Sequence, residues 1–410
     1  MTREDIITTA FDVWGRHCYQ SMSLTTIAKA LDVSKPALYR HFKNKDDLLN
    51  AMYRYFFDGY AAFIKPFYDT AQAKQRYEQI LIMIRAMIEF YARNENFSIF
   101  FLTHVYGTRS METMRRQLQD RGVDVSRYHA EPVIMRFTVA TLTFILTHFH
   151  THRNTGAEEG GKKPVTDEDI KKLTDVTVEK ILYGLRFNKE TVYSLEYERI
   201  EKEAASIPVA GEESALLKGI AAAIAESGPW DVSIQEIAQK SGLSKSSLYC
   251  HFENKRDMIM SFFMNEFERI IAFAEEGKRL SNKPEEQLYS IMSVIASYFH
   301  VMPDILSAMD WLKMRKILPP LETRNRYSDF GASHFSGLFS QIIPENDYAS
   351  LTHRLIFFLI VHTLMSGGGG GTLDCERKEY EDFSTLDTNN LRILYRFITL
   401  GIDVSCAYAG

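Results

Sequence analysis

Hydrophobic residues recur at helical spacing along most of the chain, and polar or glycine-rich breaks separate the periodic stretches. Late in the first half, an apolar stretch at residues 133–149 precedes an amphipathic stretch at residues 167–186. The second half repeats this order at residues 348–365 and 389–402, with five consecutive glycines, 367–371, between them. No segment shows the alternation of apolar and polar residues that is typical of a strand. The pattern therefore predicts an all-α fold.

The two halves share a repeated segment. Residues 23–53 align with residues 233–263 without a gap, at an offset of 210, and 12 of the 31 positions are identical. This period is far too long for a solenoid, so it indicates two copies of one domain of about 200 residues. We expect a short N-terminal unit and a longer helical unit in each copy, with domains at residues 1–50, 51–205, 206–260 and 261–410.

The repeated segment carries helix-start signals at matched positions. Ser23 and Ser233 precede a first short helix, and Glu236 completes a capping box in the second copy. Asn44 and Asn254, each with an aspartate three residues later, precede a longer helix. Only about three residues connect the first helix to the next, a spacing that indicates a helix-turn-helix. Its expected core side chains in the first copy are Ile27, Ala28, Leu31, Val33, Leu38 and Phe42.

Positive charge is concentrated on the same segment. The net charge of the whole chain is −5, so no global basic field points to nucleic acid. Residues 23–45 nevertheless contain five lysines and arginines against one acid, or +4, whereas residues 233–255 contain three lysines against two glutamates, or +1. In a helix-turn-helix the second helix reads base edges while cations contact phosphates. The pattern indicates DNA binding, with the weaker electrostatic attraction in the second copy.

Paired residues occur in a fixed order in each copy. The first copy has Ile27-Ala28, Val33-Ser34, Leu38-Tyr39 and His41-Phe42, and the second has Ile237-Ala238, Leu243-Ser244, Leu248-Tyr249 and His251-Phe252. In this order the chain resembles the TetR-type bacterial transcriptional regulators, as two tandem copies. Cys18 stands where the family usually has glycine, and Pro229 where it usually has an aromatic residue. The motif covers about 45 residues of each copy, and the remainder matches only in helix order and apolar character.

The helix-turn-helix pattern and the resemblance together indicate candidate DNA-contacting residues. At the second helix we expect base-edge contacts from Lys35, Pro36, Ala37 and Arg40 in the first copy and from Lys245, Ser246 and Ser247 in the second. The resemblance implies phosphate contacts by Thr25, Tyr39, His41, Lys45, Gln235, Tyr249, His251 and Lys255. Pro36 and Ala37 offer apolar contact whereas the two serines offer hydroxyls, so the copies are expected to prefer different half-sites.

The resemblance implies a DNA-binding transcriptional regulator, a repressor released by a ligand, and not an enzyme. Family members resemble homodimers joined by their last two helices, and this one chain contains both halves. We therefore expect residues 133–149 and 167–186 to pack against residues 348–365 and 389–402 as a covalent pseudo-dimer. Its partner would be double-stranded DNA with an asymmetric, imperfectly palindromic operator. Two alternatives stay open: only the first copy binds DNA while the second senses or dimerises, or two chains form a homodimer.

The resemblance also implies an effector within the helical part of each copy, and the abundance of apolar and aromatic residues there fits a small hydrophobic effector. Candidate pocket residues are Tyr91, Phe97, Phe101, Tyr298, Met302 and Trp311, although such residues at helical spacing more often belong to the core. His148 and His152 have the spacing of a shared metal site, but no nearby carboxylate completes it, and solvent-exposed histidines are the better interpretation. We expect no metal and no cofactor.

Composition and cysteine usage indicate the class of protein and the compartment in which it works. Apolar residues make up 45% of the chain and aromatic residues 12%, which excludes a disordered protein. The four cysteines lie far apart and form no C-x-x-C pair, which favours a reducing cytosol over a disulfide scaffold. The N-terminus lacks a signal-like apolar run, and no apolar run is long enough to span a bilayer. We expect a cytoplasmic protein without membrane contact.

Overall fold

In the computed structural model, every regular element in the described part of the chain is a helix. No strand occurs among these residues, which confirms the all-α fold class. Most of the apolar stretch 133–149 and the glycine run 367–371 lie outside the described residues. The structure describes residues 2–21, 23–105, 111–125, 140–141, 144–145, 148, 165–208, 215–228, 232–314, 337–343, 345–346, 348–365 and 388–401.

The first copy opens with short helices that lead into one long helix. Its elements are α1 (Arg3–Ser21), α2 (Leu24–Ala30), α3 (Lys35–Tyr39), α4 (Lys45–Ala71), α5 (Arg76–Arg93), α6 (Glu95–Phe100), a π-helical turn (Phe101–Val105), α7 (Met111–Gln119), α8 (Asp167–Tyr183), α9 (Lys189–Tyr193) and α10 (Tyr197–Ser206). We call α1–α3 head one and α4–α8 body one.

The second copy follows the same order of elements. Its helices are α11 (Ala215–Ser227), α12 (Ile234–Ser241), α13 (Lys245–His251), α14 (Lys255–Arg279), α15 (Pro284–Val301), α16 (Pro303–Met314), α17 (Ala349–Met365) and α18 (Thr388–Leu400). We call α11–α13 head two and α14–α18 body two.

The helices of the two copies correspond well beyond the repeated segment. The long helices α4 and α14 start 210 residues apart, whereas α5 and α15, like α6 and α16, start 208 residues apart. The backbone before the sixth helix is nearly the same in both copies, with φ −120° and ψ 70° at Asn94 and φ −121° and ψ 65° at Met302. Body two therefore repeats the first part of body one although its sequence has diverged.

Buried apolar residues form two cores whose border does not coincide with the border between the copies. The first core joins head one to α4, α6, α7 and one side of α5. The second core runs from head two through body two and also includes α8, α10 and the α5 residues Ile88 and Ala92. The last helices of the first copy therefore pack with the second copy. The four domain ranges expected from the sequence remain predictions.

The ends of α8 and α18 cross at two glycines. Gly184 follows α8 with φ 55°, and Gly401 follows α18 with φ 78°. A Cβ on Gly184 would lie 2.5 Å from the backbone of the other helix, and one on Gly401 would lie 2.1 Å from the Leu182 carbonyl oxygen. The Leu185 amide donates a hydrogen bond to the Ile398 carbonyl at 2.9 Å. Glycine is required here because a side chain would occupy the space of the neighbouring backbone.

The chain that follows α8 forms a strap across body two. We define the strap as residues 185–208, which contain α9 and α10. α10 buries Tyr197, Ile200 and Ala204 and packs against α15. Its Glu201 carboxylate accepts two hydrogen bonds from the Arg392 guanidinium, each 2.8 Å long. The connection between the copies is therefore part of the folded structure.

Within the described part of the chain, no single helix combines the length and the apolar character of a membrane span. α15 together with Pro303–Met309 meets both criteria only as a pair, whose two helices are bent by 104°.

Candidate nucleic-acid interface

The predicted helix starts are confirmed in both copies. The side chains of Ser23 and Asn44 each accept a hydrogen bond from the amide three residues later, at 3.1 and 2.8 Å. Ser233 and Glu236 form the predicted capping box, in which each side chain bonds the other residue's backbone amide. Asn254 caps α14 as Asn44 caps α4. These caps satisfy amides that have no partner within the helix, so they set where α2, α4, α12 and α14 begin.

Head one holds its recognition helix, α3, between a buried core and a brace from α1. Leu38 and Phe42 are fully buried beneath α3. From α1, the Arg3 guanidinium donates to the His41 carbonyl at 2.7 Å and lies 4.2 Å from the centre of the Phe42 ring. The same guanidinium lies 3.6 Å from the Asp47 carboxylate at the start of α4. These contacts fix α3 from behind and leave its other side for a partner.

The turn between the second and third helices has a left-handed backbone in both heads. Asp32 has φ 54° in head one, and Gly242 has φ 68° in head two. A Cβ on Gly242 would meet no atom within 4 Å. Glycine is therefore favoured at this position by the left-handed backbone and not by a lack of space. Because aspartate occupies αL less readily than glycine, the first head carries local strain that the second lacks.

The nominated residues of head one lie at or near the protein surface. Tyr39 exposes 48% of its surface, which is high for a large aromatic side chain. The Lys35 ammonium lies 5.9 Å from the centre of that ring, and burial lowers the pKa of Lys45. Thr25, Lys35, Pro36, Tyr39 and Arg40 are exposed, while Ala37, His41 and Lys45 are half-buried. Head one therefore presents an aromatic ring and cations on its recognition helix.

Several polar groups at the corresponding positions of head two form hydrogen bonds within the head. The Ser246 and Ser247 hydroxyls lie 2.9 and 2.8 Å from the Ser244 hydroxyl. The Lys255 ammonium donates to the Val232 carbonyl at 2.9 Å. DNA binding by this head must therefore exchange internal hydrogen bonds for external ones. Gln235, Lys245, Ser246, Tyr249 and His251 are exposed, while Ser247 and Lys255 are half-buried.

A comparison with protein families identifies both heads. The family described as "Bacterial regulatory proteins, tetR family" matches residues 6–52 and 216–261. This chain is a TetR-type regulator with two tandem DNA-binding domains. Each match covers one head and the start of the long helix that follows it. No curated protein matches the tandem regulator.

Solved structures that resemble the tandem regulator share 19% sequence identity with it and cover 46% of its length. FadR from Bacillus subtilis, solved in complex with stearoyl-CoA, matches over 98% of its own chain with a TM-score of 0.37. The TetR family regulator PfmR from Thermus thermophilus matches over 98% with a TM-score of 0.34. A transcriptional regulator from Rhodococcus sp. Rha1 matches over 96% with a TM-score of 0.34.

The residues nominated for an effector pocket do not form one site. Tyr91 is buried in the first core, where its ring lies 5.2 Å from Phe101 and burial raises its pKa. Tyr298 is buried in the second core and donates a hydrogen bond to the Glu266 carboxylate. Phe97 and Met302 are half-buried, and the side chain of Trp311 lies outside the described residues. Body one thus offers an aromatic cluster, and body two a separate polar pair.

The expectation of an exposed histidine at position 148 is wrong. His148 is half-buried, and its ring stacks on Phe144 at a centroid distance of 6.0 Å. His150 and His152 lie outside the described residues. Within the described ranges no group of three or more metal-ligating side chains occurs.

Sequence reasoning missed two long-range contacts, one behind the recognition helix of head one and one between the two copies. Arg3 braces α3 through the His41 carbonyl, but the two residues are 38 positions apart in the sequence, so no local pattern predicts the contact. Glu201 and Arg392 join the copies across 191 residues. For the contact of Glu201, the sequence offers one indication. Ile200 and Ala204 form an apolar pair within a charged helix, which indicates that one face of this helix is buried.

Proposed function

We propose that this TetR-type regulator binds one operator as a covalent pseudo-dimer, with one head on each half-site. The observation that carries the proposal is the packing of α8 against α17 and α18, where the glycine crossing brings the two helix ends together. The strap adds a second connection between the copies through Glu201 and Arg392. One chain thereby holds two heads in the manner that a dimeric regulator obtains from two chains.

We expect the two half-sites to differ because the recognition helices differ in chemistry. Head one offers Pro36 and Ala37 for apolar contact with thymine methyl groups and Arg40 for a guanine or a phosphate. Head two offers serine hydroxyls at the first two of these positions and the exposed Cys250 at the third. An imperfect palindrome is the operator that fits this pair of heads.

The test is selection of DNA by the purified full chain, followed by measurement of the mass of the complex on the recovered site. We expect a two-part asymmetric site occupied by one chain. A perfect palindrome bound better than every asymmetric site, or a symmetric site occupied by two chains, contradicts the pseudo-dimer.

A matched pair of lysines measures the contribution of each head. Lys45→Ala should weaken binding to all DNA sequences and lower the slope of log affinity against log salt by about one unit, because one phosphate contact is lost. Lys255→Ala at the equivalent position should do the same if head two engages DNA. Binding that is unaffected by Lys255→Ala supports the second candidate function, in which only head one binds.

One observation favours that second candidate. The segment of head two carries +1 against +4 for head one. Nuclease footprinting on the selected site separates the candidates. Two engaged heads should protect at least about one and a half helical turns, and one head about half of that.

We further propose that a small apolar effector binds within body one and releases the regulator, as a repressor, from DNA. The aromatic cluster around Tyr91 and Phe101, with Phe97 beside it, supports this proposal because it supplies apolar surface next to helices that contact head one. Tyr298, Met302 and Trp311 remain the candidates in body two. The test is DNA binding in the presence of a series of apolar compounds, compared between the native chain and Phe101→Ala. A response that is identical in both excludes this cluster.

A further inference from the structure

Two tyrosine hydroxyls inside body one have no hydrogen-bond partner among the described residues. Tyr60 lies on α4 and Tyr91 on α5, and the centres of their rings are 5.5 Å apart. Tyr60 is half-buried, Tyr91 exposes only 4% of its surface, and burial raises the pKa of both side chains. Both hydroxyls therefore keep their protons at neutral pH. Buried polar groups nearly always have a partner, so two unbonded donors in one cluster indicate an acceptor from outside the chain.

The two tyrosines belong to an aromatic cluster. The Phe101 ring lies 5.2 Å from that of Tyr91. The Phe56 ring stacks on those of Tyr60 and Phe101, at centroid distances of 5.9 and 5.8 Å. Within the described ranges, no cation lowers the pKa of either tyrosine. A carboxylate in this cluster would lose its hydration without gaining a counter-charge, so the surroundings favour a neutral ligand.

The second copy arranges its buried polar groups differently. At the positions of the two tyrosines it has Ile270 and Phe299, which are both fully buried. The polar pair of body two, Glu266 and Tyr298, stands at other positions, and its tyrosine hydroxyl donates to its carboxylate. The pair in body two therefore bonds internally, whereas the hydroxyls in body one do not bond each other. The unbonded donors are a feature that body two does not repeat at these positions.

The backbone beside the cluster also differs between the copies. In body one, α6 ends in the π-helical turn Phe101–Val105, whose first residue lies against Tyr91. In body two the corresponding helix, α16, continues as an α-helix to Met314. Turns of π-helix are rare and occur frequently at functional sites. Both α6 and the π-helical turn pack against α1, so a ligand beside this turn contacts an element that also touches head one.

We propose that the effector of body one is a small neutral molecule with an apolar body and an acceptor oxygen, such as a carbonyl oxygen. That oxygen accepts hydrogen bonds from the hydroxyls of Tyr60 and Tyr91, and the apolar part lies against the rings of Phe56 and Phe101. The proposal rests on the effector site proposed above for body one and names the class of its ligand. Water is the competing acceptor for the two hydroxyls.

Isothermal titration calorimetry of the full chain compares three probes of similar size. Acetophenone carries a carbonyl oxygen, α-methylstyrene has a methylene group in its place, and benzoate carries a carboxylate. We expect one acetophenone per chain and at least about tenfold weaker binding of benzoate. Equal binding of benzoate, or no binding of acetophenone at millimolar concentration, overturns the proposal. Binding of α-methylstyrene without acetophenone overturns it too, but leaves the proposed apolar site standing.

Two conservative variants and one matched control locate the hydrogen bonds. Tyr60→Phe and Tyr91→Phe should each lower the affinity for acetophenone about three- to tenfold, because each removes one hydrogen bond to the ligand. The same variants should leave the affinity for α-methylstyrene unchanged within about twofold, since that probe accepts no hydrogen bond. The control is Tyr55→Phe on the same helix as Tyr60, because the Tyr55 hydroxyl already donates to Glu4 at 3.2 Å. Equal losses for the two neutral probes mean that the variants act through shape alone, and contradict the assignment.

Urea unfolding without a ligand separates an effector from bound water. Tyr91→Phe should leave the unfolding midpoint unchanged or raise it, because the free protein loses no hydrogen bond. A lower midpoint means that water already bonds this hydroxyl, and it overturns the proposal. These tests need no DNA, so a failure of the proposed pseudo-dimer leaves them intact. Loss of binding for both neutral probes contradicts the proposed effector site together with this assignment of its ligand.

Discussion

Replacement of Glu201 by glutamine should weaken the attachment of the strap to body two. The Glu201 carboxylate accepts hydrogen bonds from Nε and Nη2 of Arg392, at 2.8 Å each, and from the Tyr289 hydroxyl at 2.5 Å. Glutamine keeps the shape and one acceptor oxygen, but it removes the charge that balances Arg392. The guanidinium is then left in a partly buried site without its carboxylate.

The expected loss follows from the exposure of the pair. Only 15% of the Glu201 side chain and 27% of the Arg392 side chain are exposed. Breaking a fully buried pair costs about 3–5 kcal/mol, whereas an exposed pair contributes about 0–1 kcal/mol. We therefore expect Glu201→Gln to lower the free energy of unfolding by an intermediate amount, about 2–3 kcal/mol.

Urea unfolding of the full chain, followed by circular dichroism, measures this loss. With a slope of about 3 kcal/mol per molar urea, the midpoint should fall by about 0.7–1 M. The control is Glu203→Gln on the same helix, because Glu203 pairs with Arg199 at 3.0 Å but both side chains are about 40% exposed. The control should cost less than about 0.5 kcal/mol. Equal losses in the two variants refute the assignment of the strap.

Three further predictions concern the heads. Gly219→Ala should destabilise head two by about 1–3 kcal/mol in thermal unfolding, because the new Cβ would lie 2.4 Å from the Ser241 backbone. Asp32→Gly should stabilise head one by about 1 kcal/mol in the same assay, since φ 54° is relaxed for glycine, whereas Gly242→Asp should destabilise head two. Hydrogen bonds from the capping box hold the pKa of Glu236 below its ordinary 4.5, so its stabilising effect is present above pH 4.5 and is lost as pH falls through the lower folded-state pKa. Glu236→Gln should remove that part of the acid dependence of unfolding.

Much of each head was predictable because its determinants are local. Ser23 and Asn44 cap helices through amides three residues away, and the spacing of Leu38 and Phe42 places both on the buried side of the recognition segment. The docking of α10 was not predictable, because one apolar face specifies burial without specifying which surface covers it.

The sequence by itself determined the helical class, the duplication and the two DNA-binding heads, since each depends on short-range spacing that repeats at a fixed offset. Tertiary structure alone decided that α8 and the strap pack with the second copy and that α6 packs against head one. Those features depend on contacts such as Glu201 with Arg392, 191 residues apart, and Asn96 with Asp12, 84 residues apart. Such pairs form only after chain folding brings separate helices together, so no local sequence pattern predicts them.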